Sequence, residues 1–277
     1  MNKGKLARLI DFSKQLFKKI RADDVQAISA QLTYYLILSF FPFLIFIMTL
    51  IGYANISMEE RITGLREIIP IEAVNIIEDI VKDVSLGRSQ ALLSFGMLAT
   101  LWAASRGINA VVKGLNKAYD TIENRALWKV RGISLLATVV LGFVILLSIL
   151  LLVFGGWLGD QIILLFHLSE RIHRLWNLLQ YVVPLVVMIV VFTLLYMFAP
   201  SRKITFKGAL PGAIFSTFGW ILTSFLFSLY VNQFANFTRT YGSLGGLMIL
   251  LVWLYISSII ILVGGEINAT LVYKRGR

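Results

Sequence analysis

Residues 244–272 read LGGLMILLVWLYISSIIILVGGEINATLV, and this run decides the class of fold. A helix that crosses the hydrocarbon core of a membrane needs about 20 consecutive, mostly apolar residues. The run exceeds that length and carries one charged side chain, Glu266. The whole chain is also rich in apolar residues: 58% of the 277 residues are hydrophobic, against roughly 45–50% in soluble domains. We therefore predict an all-α fold, that of a polytopic membrane protein.

Five further segments are long and apolar enough to cross a membrane. With the last run they predict six transmembrane helices, approximately at Ser29–Tyr53, Ala91–Ala110, Gly132–Leu158, Asn177–Ala199, Ala209–Val231 and Leu244–Val272. The predicted organisation is an amphipathic cytoplasmic helix over 1–28, a transmembrane domain over 29–273 with an external helical loop at about 54–90, and a basic cytoplasmic tail over 274–277. No small-residue cleavage site follows the first span, so we expect it to be retained and not removed as a signal peptide.

Positive charge differs between the two sides on which six spans would place the loops. Lys and Arg number 19 on the side of the two termini and 7 on the opposite side. Because positively charged loops stay in the cytoplasm, this split predicts that both termini are cytoplasmic. The net charge of +11 is then mostly a signal of orientation. We expect anionic headgroups of membrane lipids at the inner leaflet as partners, and not nucleic acid.

Two segments outside the spans have amphipathic patterns. In KLARLIDFSKQLFKKI, residues 5–20, the apolar and basic side chains fall largely on opposite faces of a helix. This helix either lies on the inner leaflet or packs against the body of the protein. The stretch 57–89 predicts two short helices broken near Pro70, which form either a lid over an external opening or a shield at the membrane surface.

The sequence lacks the residue patterns of known catalytic and metal sites. Cysteine is absent, and the two histidines, His167 and His173, are six residues apart and do not share a helical face. We find no HExxH, no Walker loop and no Ser, His and Asp arrangement. We therefore expect no cofactor, no metal site and no enzymatic activity.

Glycine and proline positions predict features of the bundle. Glycines four residues apart allow helix backbones to approach closely, either within one protomer or between protomers; the pairs are Gly155 and Gly159, Gly208 and Gly212, and Gly242 and Gly246. Pro42 and Pro184 lie deep in apolar runs, where each frees a backbone carbonyl that needs another partner. We expect kinks there.

Four stretches resemble one family. They are ISAQLTYYLILSFFPF at 28–43, LWAASRGINAVVKGLNKAYD at 101–120, PGAIFSTFGWILTSFLFSLYV at 211–231 and YGSLGGLMILLVWLYISSIIILVGGEINA at 241–269. In this order they resemble the YihY/BrkB family of bacterial membrane proteins, over nearly the whole chain.

The resemblance implies a protein of the bacterial cytoplasmic membrane. Members of the family were once labelled ribonucleases, and some have been linked to serum resistance and to transport of lipid or lipopolysaccharide precursors. The residues above give the nuclease label no support. By position the resemblance carries over a polar signature, with no catalytic set: Tyr34, Pro42, Ser105, Arg106, Gly107, Asn116, Tyr241, Gly242, Ser243, Glu266 and Asn268.

Glu266 is the residue of this signature that most needs an explanation. An ionisable group in hydrocarbon costs about 2.5–3.5 kcal/mol on insertion scales, so it normally faces protein or water and has a partner. We predict that Glu266 faces Arg106, with Ser105 and Asn109 as further donors. Alternatively, Glu266 fixes the register of its helix by bonding neighbouring Ser, Tyr or backbone groups.

These observations lead to one functional hypothesis and two alternatives. The first is a transporter or translocator of a lipid or another amphiphilic anion, in which polar residues of the cytoplasmic half receive the headgroup. The second is a membrane scaffold or assembly partner in envelope biogenesis that transports nothing. The third, a membrane-bound hydrolase, fits the residues least. The sequence leaves open whether the protein forms a homo-oligomer.

Overall fold

The computed structural model describes residues 3–53, 90–143, 170–234 and 244–275. Within these ranges the chain forms helices and contains no strand, so the predicted all-helical fold is confirmed. The helices are α1 (Lys3–Ala22), α2 (Val25–Tyr53), α3 (Gln90–Ala118), α4 (127–143), α5 (Glu170–Phe198), α6 (Phe206–Phe234) and α7 (Gly245–Arg275). The predicted external loop at 54–90 lies almost wholly outside the described residues, as do the signature residues Tyr241, Gly242 and Ser243.

Within the described ranges, three helices have the length and apolar composition of membrane spans: Val25–Phe46 in α2, Phe206–Val231 in α6 and Gly245–Val272 in α7. A shorter apolar helix covers Val182–Phe198 in α5. These segments match the predicted first, fifth, sixth and fourth spans. The predicted second span forms the greater part of α3, and the described part of the predicted third span lies in α4.

Two aspartates end helices in the left-handed backbone region. Asp24 has a φ of 51° and Asp120 a φ of 48°, a conformation that a short polar side chain tolerates better than most. Asp24 follows α1, and its carbonyl oxygen accepts the Ile28 N–H at the start of α2. The first span therefore begins at Val25, four residues before its predicted start, and α1 joins it through the turn at Asp23 and Asp24.

The core lies where α2, α3, α5, α6 and α7 meet. Its centre is the buried cluster of Leu32, Leu115, Tyr196, Ala213 and Ala269, one residue from each of those helices. Serine and threonine side chains are buried among the helices, whereas many Phe, Leu and Val side chains of the outer faces are exposed. This distribution fits helices that are surrounded by lipid, because lipid solvates apolar side chains and polar groups find their partners inside the bundle.

Helices α6 and α7 approach closely at two glycines. A Cβ atom added to Gly212 would collide with the backbone oxygen of Gly264, and one added to Gly264 would collide with Ser216 Oγ. The contact lies inside one chain. Gly212 therefore serves packing within the protomer, which is one of the two predicted alternatives, whereas Gly155, Gly159 and Gly242 lie outside the described residues.

Candidate functional site

A groove runs between α3 and α4 and brings together three residues predicted for the site. Its volume is about 310 Å³. Its lining consists of Leu98, Leu101, Trp102, Ser105, Arg106 and Asn109 from α3, and Arg131, Ser134 and Leu135 from α4. On each helix these residues recur at spacings of three and four, so they form one stripe on one face. We call this the α3–α4 groove.

The α3–α4 groove has a polar and an apolar end. Arg106 and Asn109 lie further along α3 than Leu98 and Leu101, and Arg131 lies nearer the start of α4 than Leu135. Among the described residues, two guanidinium groups and no carboxylate line it. Such a surface is suited to a molecule with an anionic head and an apolar tail, because arginine binds phosphate and carboxylate oxygens with two N–H groups at once.

The two serine hydroxyl groups of the groove differ in their hydrogen bonding. The Ser105 hydroxyl donates a hydrogen bond to the Trp102 carbonyl oxygen over 2.8 Å. Ser134 is only 2% exposed, and its Oγ has no hydrogen-bond partner among the described residues. A buried polar atom without a partner is costly to maintain. Ser134 therefore offers an unused hydrogen-bonding group at the wall of the groove.

The predicted pairing of Glu266 with Arg106 is wrong. No ion pair joins these two described side chains, and Arg106 is exposed, with its guanidinium over the Trp102 ring. The reason is the face on which α3 meets its neighbours. Gly107 packs against Leu32 of α2, so Arg106, about 100° away round the helix, points elsewhere.

Helix α7 also contacts α3 closer to the C-terminal end of α3 than Arg106 is. The Leu115 side chain lies against Gly265, and the Leu262 side chain lies against Gly114. Leu115 follows Arg106 by nine residues, which is about 14 Å along the helix. Glu266 therefore lies near the end of α3 and not beside Arg106.

Glu266 instead faces the turn between α1 and α2. It is 1% exposed, and its Oε2 accepts no hydrogen bond from any donor in the described part of the chain. The Asp23 carboxyl is within hydrogen-bonding reach of the Glu266 carboxyl, and Lys19 and Asp120 act on Glu266 electrostatically. Lys19 Nζ lies 3.5 Å from Asp23 Oδ2 and 3.5 Å from Asp120 Oδ2. We call Lys19, Asp23, Asp120 and Glu266 the acid cluster.

The α1–α2 turn and the end of α3 are joined by reciprocal contacts. Lys19 Nζ donates to the Ala118 carbonyl oxygen over 2.6 Å and contacts Asp120. In the opposite direction, Lys117 Nζ lies 2.6 Å from Asp24 Oδ2. The α1–α2 turn and the end of α3 thus each supply one lysine and one aspartate. The two aspartates, Asp24 and Asp120, are those with a positive φ.

Asn116 connects two loops at the same end of the bundle. Its Nδ2 donates to Glu123 Oε2 over 2.8 Å, and its Oδ1 accepts the Ser201 N–H over 2.7 Å. Arg125 binds both oxygens of Glu123, at 2.8 and 2.7 Å, and donates to the Ala199 carbonyl oxygen at the end of α5. Asn116 therefore holds the segment after α3 against the segment after α5.

The contact between Glu123 and Arg125 also shifts the pKa values of both groups. Hydrogen bonds from the Arg125 side chain are the main reason that the pKa of Glu123 falls from 4.5 to about 2, and partial burial opposes the shift. The same hydrogen bond raises the pKa of Arg125. Both groups lie in the loop after α3, and both are charged at neutral pH.

Asn268 binds the backbone of α6 with both ends of its amide. Its Oδ1 accepts the Gly212 N–H over 2.6 Å, and its Nδ2 donates to the Ala209 carbonyl oxygen over 2.9 Å. Pro211 lies between these two residues and has no N–H, so the local helix cannot satisfy all of its own hydrogen bonds. The buried Asn268 fixes α7 against this first part of α6.

The remaining signature residues lie apart from the groove and from the acid cluster. Tyr34 is exposed on α2 and packs edge to face with Tyr35, with ring centroids 5.2 Å apart. Pro42 is inside α2, and its carbonyl oxygen would lie 3.0 Å from a Cβ at Gly96 of α3. Pro42 thus marks a close approach of α2 and α3.

Sequence reasoning missed several residues that the structure brings to these places. Ser134 and Trp102 complete the α3–α4 groove, and their signal was the shared spacing of three and four along each helix. The sequence places Arg131 only among the basic residues of the predicted cytoplasmic side. Lys19, Asp23 and Asp120 complete the acid cluster. Their signal was an Asp-Asp pair at a helix break, among otherwise basic residues.

Metal binding finds no support in the described ranges. There, no group of three His, Asp or Glu side chains is arranged to hold a metal ion. The features of the site are a cationic groove and the acid cluster, of which Glu266 is buried.

Helices of membrane length, buried polar contacts and exposed apolar faces define a polytopic helical membrane protein. The chain belongs to the family described as virulence factor BrkB, whose sequence model matches residues 16–277. The resemblance read from the sequence is therefore confirmed.

Relatives of the chain cover nearly its whole length. The ribonuclease-like protein YfkH of Bacillus subtilis is 41% identical over 266 residues, which are 96% of each chain. A UPF0761 membrane protein of Alteromonas mediterranea is 25% identical over 275 residues, 95% of this chain and 88% of the relative. A UPF0761 membrane protein of Haemophilus influenzae is 24% identical over 267 residues, 95% and 96% of the two chains. No solved structure matches the chain.

Proposed function

We propose that this protein binds the headgroup of an anionic amphiphile, such as an anionic phospholipid, in the α3–α4 groove and moves it between the leaflets of the bacterial cytoplasmic membrane. The proposal places six spans in that membrane with both termini inside, following the distribution of Lys and Arg. It assigns no catalytic chemistry to the chain.

The observation that carries the proposal is the composition of the α3–α4 groove. Arg106 and Arg131 supply two permanent positive charges, and Leu98, Leu101 and Leu135 supply an apolar wall. A phosphate group can bind both guanidinium groups, while the acyl chain lies along the apolar wall.

The position of the groove suits a substrate that arrives from the membrane. Trp102, Leu98 and Leu135 are exposed on the outer faces of their helices, where lipid would surround them. A lipid could therefore enter sideways with its tail in the bilayer, and only its headgroup would need the polar end. The Arg106 guanidinium over the Trp102 ring is held in place for that contact.

Leaflet exchange in liposomes tests the proposal. Purified protein is reconstituted with a trace of fluorescent phosphatidylglycerol, and a membrane-impermeant quencher measures how much probe changes leaflet. We expect faster exchange than in empty liposomes, a loss of that gain in the Arg106→Ala, Arg131→Ala double variant, and its retention in Arg202→Ala. Arg202 is an exposed arginine that does not line the groove. Exchange equal to that of empty liposomes would contradict the proposal.

A further inference from the structure

Asp23 and Glu266 bring two carboxyl groups together in a place with little solvent. Within the acid cluster the exposed fraction of the side chains falls from 65% for Asp120 to 22% for Lys19 and 11% for Asp23, and Glu266 as a residue is 1% exposed. The cluster therefore leads from the protein surface to a buried end. Glu266 is that end.

The charges of the acid cluster do not balance if every carboxyl is ionised. Asp23, Asp120 and Glu266 would carry three negative charges, and Lys19 carries one positive charge. Lys19 is already shared among Asp23, Asp120 and the Ala118 carbonyl oxygen. The neighbouring Lys117 is paired with Asp24 and adds no net charge. An uncompensated charge at a buried site is strongly destabilising, so the cluster needs a further cation.

The geometry points to a proton and not to a metal ion. No group of three acidic or histidine side chains in the described ranges could hold a metal, and the Lys19 ammonium already lies beside Asp23. Two carboxyl groups within hydrogen-bonding reach can be joined by one shared proton, because the protonated group donates to the other. Glu266 Oε2 has no other donor among the described residues.

We propose that Asp23 and Glu266 form a proton-binding site, which is filled from the surface at Asp120. Charged groups act on Glu266 from three elements: Lys19 from α1, Asp23 from the turn after α1, and Asp120 from the turn after α3. From α5, the ring of Tyr196 lies 3.9 Å from the Cβ position of Gly265, next to Glu266. The site is separate from the α3–α4 groove and does not depend on the function proposed for the groove.

Buried hydroxyl groups also lie further into the bundle, on α2 and α7. Thr33 Oγ1 lies 3.3 Å from Ser258 Oγ. The two hydroxyl groups donate to the carbonyl oxygens of Ser29 and Leu254 in their own helices, over 2.8 and 2.7 Å. Ser29, one turn before Thr33, is fully buried, and its Oγ has no hydrogen-bond partner in the described part of the chain. Thr33 lies about 12 Å from Val25 along α2, and Ser258 lies about 12 Å from Glu266 along α7, which runs antiparallel to α2.

Infrared difference spectroscopy of the purified full-length protein in lipid nanodiscs tests the proposal with the proton itself as the probe. A step in pH that removes a proton from a carboxylic acid reduces the band of its C=O stretch. We expect such a band in the wild type, its loss in Glu266→Gln and a shift of its position in Asp23→Asn. Glu123→Gln is the matched control and should keep the band, because Glu123 is bound by Arg125 and has no acidic partner within the described ranges.

The outcomes separate this site from the groove. If Glu266→Gln does not fold, as judged by gel filtration, Asp23→Asn decides the question. A band that both Glu266→Gln and Asp23→Asn leave unchanged would overturn the proposal, as would the absence of any protonated carboxyl band from the wild type. Arg106→Ala should keep the band even if it loses lipid exchange, so failure of one proposal does not imply failure of the other.

Discussion

The Arg106 guanidinium lies over the indole ring of Trp102, with Cζ 5.5 Å from the ring centroid. The two residues are four apart on α3, so they share one face of the helix. The ring faces the cation with its negative electrostatic surface and holds it at the edge of the α3–α4 groove. A charged side chain in a predicted span thus has a partner without being buried.

The first prediction concerns this contact. Trp102→Leu keeps an apolar side chain but removes the aromatic face. An exposed cation–π contact contributes about 0.5–1 kcal/mol, so we expect the affinity for phosphatidylglycerol to fall about two- to five-fold. Binding is measured by titration of the detergent-solubilised protein. Trp128→Leu is the control, because Trp128 is exposed and does not line the groove; an equal loss in both variants would contradict the role of Trp102.

The second prediction concerns the contact of α6 with α7. Gly264→Ala places a methyl group against Ser216 Oγ and the Tyr196 hydroxyl, and overpacking of this kind costs about 1–3 kcal/mol. We expect a lower unfolding temperature or a loss of folded protein. Gly142→Ala should not destabilise the protein, since nothing in the described part of the chain lies within 4 Å of its Cβ position. Equal stability of the two variants in a thermal scan would show that the helices are not packed this closely.

The third prediction concerns Asn268. Asn268→Ala leaves the Gly212 N–H and the Ala209 carbonyl oxygen without their partner, at about 1–3 kcal/mol for each buried group. We expect a clear loss of stability in denaturant titrations. Asn109→Ala provides the comparison, because Asn109 lines the groove and is not fully buried. It should weaken lipid binding and leave stability nearly unchanged; the reverse pattern would contradict both assignments.

The fourth prediction concerns pH. The pKa of Glu123 is lowered from 4.5 to about 2, chiefly by hydrogen bonds from Arg125. The folded protein thus binds this proton more weakly than the unfolded chain. The stabilisation that the charged Glu123 provides is therefore complete above pH 4.5 and is lost as the pH falls towards 2.

Glu123→Gln should accordingly be less stable than the wild type at pH 7. The difference between the two should shrink as the pH is lowered from about 4.5 towards 2. Unfolding temperatures at a series of pH values measure it. A difference that is constant over this range would mean that Glu123 is not stabilised by its charge.

The individual helices could be predicted from the sequence, but the helix faces that pack against each other could not. Long apolar runs give α2, α6 and α7 directly, because spanning length is a local property of the chain. The partner of Glu266 depends on the faces that α3 turns towards α2 and α7. Gly107 packs on α2 and Leu115 meets Gly265, which places Arg106 on the outside and leaves Glu266 near Asp23.

The α3–α4 groove was predicted in part for the same reason. Ser105, Arg106 and Asn109 were identified as candidates, although Arg106 was placed inside the bundle. The contribution of α4 could not be predicted, since the chain alone does not show that Arg131 and Ser134 lie opposite α3. Asn116 and Asn268 were identified as polar residues, and the structure shows which backbone and side-chain groups they bind.

Native mass spectrometry of lipid adducts tests most directly whether the α3–α4 groove binds an anionic headgroup. Purified protein is offered equal amounts of phosphatidylglycerol and phosphatidylcholine, and the bound lipids are counted for each variant. The wild type and Arg202→Ala should retain phosphatidylglycerol in preference to phosphatidylcholine, and the Arg106→Ala, Arg131→Ala double variant should lose this preference. Equal retention of the two lipids by the wild type, or an unchanged preference in the double variant, would contradict the account.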